Sequence, residues 1–169
     1  SGAPASGDAL HGPESLAVSP DGRHLYVGLD SEDSVSMFGR DAITGALTFV
    51  QTLNPGSIIG IDSQHKTASV AISPDGTHVY LAKSSKDSIA VFSREQAAGE
   101  LTLVETPSDH LPGMDGLGGV RSVTVSPDGA HLYAAAALDH AVTVFGVNEM
   151  TGALTLADLL VDRDTGGVD

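Results

Sequence analysis

Ser19-Pro20-Asp21-Gly22, Ser73-Pro74-Asp75-Gly76 and Ser126-Pro127-Asp128-Gly129 are one tetrapeptide written three times, at spacings of 54 and 53 residues. Proline presets φ, aspartate supplies a capping carboxylate and glycine frees the backbone, so each copy reads as a tight turn between two extended segments. Other residues return at fixed offsets from it: His24, His78 and His131; Tyr26, Tyr80 and Tyr133; Phe38, Phe92 and Phe145; Gly45, Gly99 and Gly152. Self-similarity at about fifty residues marks a repeat architecture.

Upstream of the first turn, Glu14 to Val18 alternates around Leu16 and Val18, which reads as a strand a. Downstream, Leu25-Tyr26-Val27 forms strand b, Val35-Ser36-Met37-Phe38 strand c, and Thr44-Gly45-Ala46 turns the chain into Leu47-Thr48-Phe49-Val50 as strand d. Period-two alternation persists in every unit: Val35 and Met37 correspond to Ile89 and Val91, then to Val142 and Val144. No stretch reads as a helix. Strand a carries a bulky face (Leu16, Val70, Val123) and a small one (Ala17, Ala71, Thr124), as sheets stacked face to face require. The expected fold is therefore all-β, with three four-stranded antiparallel blades of a β-propeller that is incomplete or closed by oligomerisation. Residues 1–13 would form a lead-in, and 14–66, 67–119 and 120–169 one blade each with its connection. Histidine, tyrosine and phenylalanine copied into every unit are expected to serve the unit itself, the imidazole by a bond to the turn and the aromatics as core.

Composition excludes several classes of function. A net charge of −14 offers no basic patch to nucleic acid or to an anionic membrane. The absence of cysteine removes disulfides, zinc-thiolate sites and thiol nucleophiles together. Leu132 to Leu138 is the longest apolar stretch and is too short for a transmembrane helix. With 41% apolar residues but no tryptophan, the core must be aliphatic.

The run Ser-Pro-Asp-Gly-x-His-[Leu/Val]-Tyr, the Val-x-[Val/Met]-Phe strand and Thr-Gly-Ala-Leu-Thr resemble the repeat of lactonase-like propellers, the group of 6-phosphogluconolactonase and the YVTN-type repeat proteins. The resemblance covers nearly the whole chain and implies the fold more strongly than the activity. Enzymes of that family often open strand a with Pro-Arg-His. Here the openings are Gly12-Pro13-Glu14-Ser15, Thr67-Ala68-Ser69 and Val120-Arg121-Ser122, so only Pro13 and Arg121 match. Gly60-Ile61-Asp62, Gly113-Met114-Asp115 and Gly167-Val168-Asp169 also recur in phase, with Asp8 at the same position before the first unit. Two explanations are expected to compete for that in-phase ending: a piece of a longer array, or a homodimer closing a six-bladed ring.

In an antiparallel blade the a–b and c–d turns share one side, and the b–c and d–a connections the other. Everything that differs between units falls on the second side, including Ser31-Glu32-Asp33, Ser85-Lys86-Asp87 and Leu138-Asp139-His140, so a site is expected there. Residues opening the innermost strand would surround a channel mouth: His11 and Glu14, His65 and Lys66, and Arg121. As a ligand-binding set they combine carboxylate, imidazole, ammonium and guanidinium, and Glu14, His65 and Arg121 could bind a lactone and activate water. Metal candidates are Asp8, Asp62, Asp115, Asp162 and Asp164, with Ca2+ the ion that acidic, glycine-containing loops would suit. Otherwise no cofactor is expected. The reading that follows is a non-catalytic scaffold, extracellular, on the cell surface or periplasmic in a bacterial-type protein, presenting variable loops to a protein or small-molecule partner. The alternative is a 6-phosphogluconolactonase-like lactone hydrolase with a channel-mouth site.

Overall fold

The tetrapeptide turn is held by its own side chains, which is why all four residues recur. In the first copy the Ser19 hydroxyl donates to Asp21 Oδ1 at 2.5 Å and accepts from the His24 amide at 3.0 Å. Asp21 Oδ1 also accepts from the Arg23 amide at 3.0 Å, and Gly22 sits at φ 71°, where a side chain would be strained. The same bonds recur at Ser73 and Asp75 and at Ser126 and Asp128. The opposite turn is capped by a residue that the sequence reading passed over: Asp41 Oδ1 accepts from the amides of Ile43 and Thr44, and Glu95 and Asn148 do the same work in the other units.

The computed structural model describes residues 10–29, 34–53, 67–109, 111 and 113–162. Twelve strands lie in three antiparallel sheets of four. The first is β1 (Pro13–Val18), β2 (His24–Leu29), β3 (Ser34–Arg40) and β4 (Leu47–Leu53). The second is β5 (Thr67–Ile72), β6 (His78–Lys83), β7 (Ser88–Arg94) and β8 (Leu101–Glu105). The third is β9 (Val120–Val125), β10 (His131–Ala136), β11 (Ala141–Val147) and β12 (Leu154–Val161). Each sheet pairs in chain order, so each is a meander. These are propeller blades, and the fold is all-β as expected. A 3-10 turn at Ser84–Lys86 is the helical element among the described residues, and none there is long and apolar enough to cross a membrane.

The blades stack through their first strands, β1 beside β5 and β5 beside β9. Between the first and second blades lie Tyr26, Val35, Met37, Val70, Val79, Leu81 and Phe92, all buried. Tyr80, Ile89, Val91, Leu117, Val123, Leu132 and Phe145 fill the second junction. Both layers are largely aliphatic, with the repeated aromatics embedded in them.

The outermost faces break the equivalence of the repeats. Tyr26 and Tyr80 are fully buried, but Tyr133 is 38% exposed, and Leu16 is 65% exposed where its counterparts Val70 and Val123 are buried. The expectation that all three tyrosines are core is corrected accordingly. A blade buries its forward face against the next blade, and nothing described here follows the third.

Candidate functional site

Every first strand begins with a β-bulge. Register slips between Pro13 and Ser15, between Thr67 and Ser69, and opposite Ala135 and Ala136 in the third blade, so the extra residues are Glu14, Ala68 and Arg121. A bulge leaves its extra residue outside the ladder and re-aims it, a device concentrated near functional sites. The three positions are equivalent, and they lie at the end of the stacked first strands that faces the variable connections.

Glu14 and Arg121 are both exposed, and the whole second blade separates them. Among the described residues no ion pair joins the two. Arg121 lines a cavity of about 280 Å3 with Ala135, Ala136, Ala137, His140, Ala141 and Val142. His140 occupies the b–c turn at φ 50°, and its carbonyl accepts from the Asp162 amide at 2.9 Å. Sequence reasoning noted that turn as variable without singling out His140. The available signal was an imidazole at the position where the second blade has Asp87. His11 is exposed just before β1, and His65 and Lys66 lie outside the described residues. The structure thus brings Arg121 and His140 to one cavity and leaves Glu14 at the equivalent place two blades away.

The variable side is built in part by carboxylates that serve the backbone. Asp87 Oδ1 accepts from the Gly119 amide and Asp139 Oδ2 from the Gly118 amide, each at 2.6 Å, while Asp109 Oδ1 accepts from Leu117 at 2.9 Å. These bonds pin the segment before β9, in which Leu117 is fully buried. Of the metal candidates, Asp115 and Asp162 are exposed, and Asp8, Asp62 and Asp164 lie outside the described residues. Among the described residues no group of three metal-ligating side chains converges.

Two of the repeated histidines, His24 and His78, belong to blade junctions. The His24 ring packs on Gly99 of the next blade, and its Nδ1 accepts from Arg94 Nη2 at 2.8 Å. Burial, with the adjacent guanidinium, holds His24 below the ordinary imidazole value. His78 packs on Gly152 in the same way, its Nδ1 lies 2.8 Å from Thr77 Oγ1, and burial depresses it too. His131 is exposed. For His24 and His78 the turn packed against the imidazole is therefore the one in the following blade.

Residues 5–165 match the family described as lactonase, 7-bladed beta-propeller. Among curated relatives, the 6-phosphogluconolactonase of Klebsiella pneumoniae is 26% identical over 142 residues, 84% of this chain and 41% of the relative. The 6-phosphogluconolactonase of Pectobacterium carotovorum is 25% identical over 85% of this chain and 41% of its own length. This chain therefore spans about two fifths of the length of these relatives. A crystal structure from Bacteroides uniformis, provisionally assigned as a 6-phosphogluconolactonase, superposes with a TM-score of 0.75 at 27% identity, over 89% of this chain and 41% of that one. The periplasmic gluconolactonase of Pseudomonas aeruginosa shares the fold, with a TM-score of 0.76 at 22% identity, over 89% of this chain and 40% of that one. These findings correct the functional expectation. A non-catalytic binding scaffold conflicts with relatives named as lactonases, and the lactone hydrolase first held as the alternative is the better supported reading.

Proposed function

The chain belongs to the lactonase family of seven-bladed β-propellers, and from that premise we propose that it forms part of a sugar-lactone hydrolase whose site lies at the bulged ends of the first strands. The observation that carries the reading is the family match across residues 5–165, joined to relatives named 6-phosphogluconolactonase. The geometry supports it with a guanidinium and an imidazole on one cavity. Hydrolysis of a lactone adds water to the carbonyl carbon, breaks the ring C–O bond and delivers a proton to the departing ring oxygen. Arg121 suits the anionic group of a sugar-acid lactone, since a planar guanidinium pairs two-pronged with carboxylate or phosphate. His140, which lines the same cavity, suits the proton transfers. Glu14, at the equivalent bulge, is assigned to the sugar hydroxyls on the far side of the mouth, with His11 beside it.

The exposed faces of the first and third blades are read as docking faces for further blades, since they present the residues that both internal junctions bury. A location outside the cytoplasm remains the accompanying proposal, with the periplasmic neighbour as its support.

The test is hydrolysis of 6-phosphogluconolactone, measured above the spontaneous rate, by the protein that carries this chain together with the rest of its blades. Arg121→Met is expected to raise KM at least 10-fold, about 1.4 kcal/mol of lost anion binding, with Arg121→Lys recovering part of it. His140→Gln is expected to lower kcat about 100-fold. Hydrolysis at the spontaneous rate, or hydrolysis unchanged by both substitutions, would refute the assignment.

A further inference from the structure

The first blade junction holds a buried cation that the second lacks. In the first, Arg94 is sunk between blades with its side chain 1% exposed. Its Nε donates to the Tyr26 hydroxyl at 2.7 Å and its Nη1 to the Gly76 carbonyl at 2.8 Å. Its Nη2 donates to Asp21 Oδ2 at 3.0 Å, His24 Nδ1 at 2.8 Å and the Gln96 carbonyl at 3.5 Å. One repeat later the residue in Arg94's place is Val147, and a cavity of about 420 Å3 opens beside it.

The walls of that cavity are the partners of the absent guanidinium. Asp75, His78, Gly129 and Glu149 line it, the repeat equivalents of Asp21, His24, Gly76 and Gln96. Tyr80, the equivalent of Tyr26, is fully buried, and its hydroxyl makes one long bond of 3.4 Å to the Gly152 carbonyl, with no guanidinium to meet it. Charge has moved in the same direction, with arginine giving way to valine and Gln96 to Glu149. Asp128 adds a third carboxylate to the lining, and no lysine or arginine is part of it.

We infer that the second junction binds a small guanidinium-bearing ligand, whose headgroup takes the place that the Arg94 side chain fills in the first. A guanidinium fits better than a metal ion, because no three ligating side chains converge among the described residues, and better than an ammonium, because its planar fork reaches acceptors spread around it. Thr77 Oγ1 donates to Asp75 Oδ2 at 2.7 Å and so accepts from His78 Nδ1–H at 2.8 Å, which holds both side chains in place and leaves the carboxylates, rather than His78 Nδ1, as the acceptors for the guanidinium. The site is on the side of the sheets carrying the a–b turns, opposite Arg121, so it stands or falls independently of the lactone reading.

The probe is ethylguanidinium, titrated into the full chain and followed by NMR shifts at Val147, His78 and Tyr80, with ethylammonium as the equal-charge control. Saturable shifts with a Kd of ~1 mM or tighter, at least 5-fold tighter than ethylammonium, are expected. Val147→Arg is expected to abolish binding by supplying the headgroup in cis, and Glu149→Gln, an exposed change that restores the first junction's residue, to weaken it about 3-fold. No saturable shift at tens of mM, equal binding of the two cations, or binding that survives Val147→Arg would each overturn the proposal.

Discussion

Replacing Arg94 with methionine removes the guanidinium while keeping most of the apolar stem, and so isolates the polar lock between the first two blades. Arg94 is 1% exposed, whereas Asp21 across from it is 33% exposed. Removing one partner of a fully buried ion pair costs about 3–5 kcal/mol, most of it the desolvation of the group left behind. Here Asp21 can rehydrate, but the Gly76 carbonyl and His24 Nδ1 lose their donor in a closed junction, which puts the cost at the lower end, about 3 kcal/mol. For a chain of this size that corresponds to a fall in Tm of about 6–12 °C. Arg40 is the internal control: it occupies the same position one repeat earlier, is half-buried, and donates through Nη1 to Gly22 of its own blade at 3.0 Å. Arg40→Met should cost under about 1 kcal/mol. Thermal and urea unfolding followed by circular dichroism measures both. Equal shifts for the two variants, or less than 1 kcal/mol at Arg94, would refute the claim that this residue secures the junction.

Gly99 and Gly45 have nearly the same backbone, φ 77° and 73°, but a Cβ on Gly99 would meet the His24 ring, 2.6 Å from Cγ, while one on Gly45 meets nothing within 4 Å. Gly99→Ala is therefore expected to cost at least 2 kcal/mol more than Gly45→Ala, whose penalty is the left-handed backbone alone, about 1–2 kcal/mol. His24 and His78 are both held below the ordinary imidazole value by burial, so the unfolded chain binds their protons more readily. Their contribution is complete above the unfolded value near pH 6.5 and is lost as pH falls below it, so Tm should drop between pH 7.5 and 5; a Tm that holds or rises over that range would contradict it. Asp21 follows at lower pH. Burial raises its pKa, but the Ser19 hydroxyl, the Arg23 amide and Arg94 outweigh that, so its contribution disappears only below about pH 4. Asp139→Ala removes the acceptor for the Gly118 amide and should cost about 1–2 kcal/mol and speed proteolysis within residues 113–119; unchanged cleavage would show that the loop is held by other means.

Much of the fold was legible because local chemistry repeats with the unit. Ser19, Asp21 and Gly22 close a turn with bonds spanning at most five residues, and alternation in Val35 and Met37 marks a strand whatever lies beside it. The site was less legible. Arg121 stood out as one of few cations, but its place at a bulge beside His140 depends on register against β10, which no single strand records. Asp87 and Asp139 look like free loop carboxylates in the sequence and prove to be acceptors for Gly119 and Gly118.

Read alone, the amino-acid order determined that each unit is a four-stranded meander, because turns and strands are set by interactions within a few residues of one another. Only the tertiary structure decided which copies of a repeated residue are equivalent. Tyr26, Tyr80 and Tyr133 are identical letters, yet two are buried and one is 38% exposed, because burial depends on the neighbouring blade and not on the blade itself. Arg94 and Val147 differ by one substitution, and only the stacking of blades turns that difference into a filled junction and an open cavity.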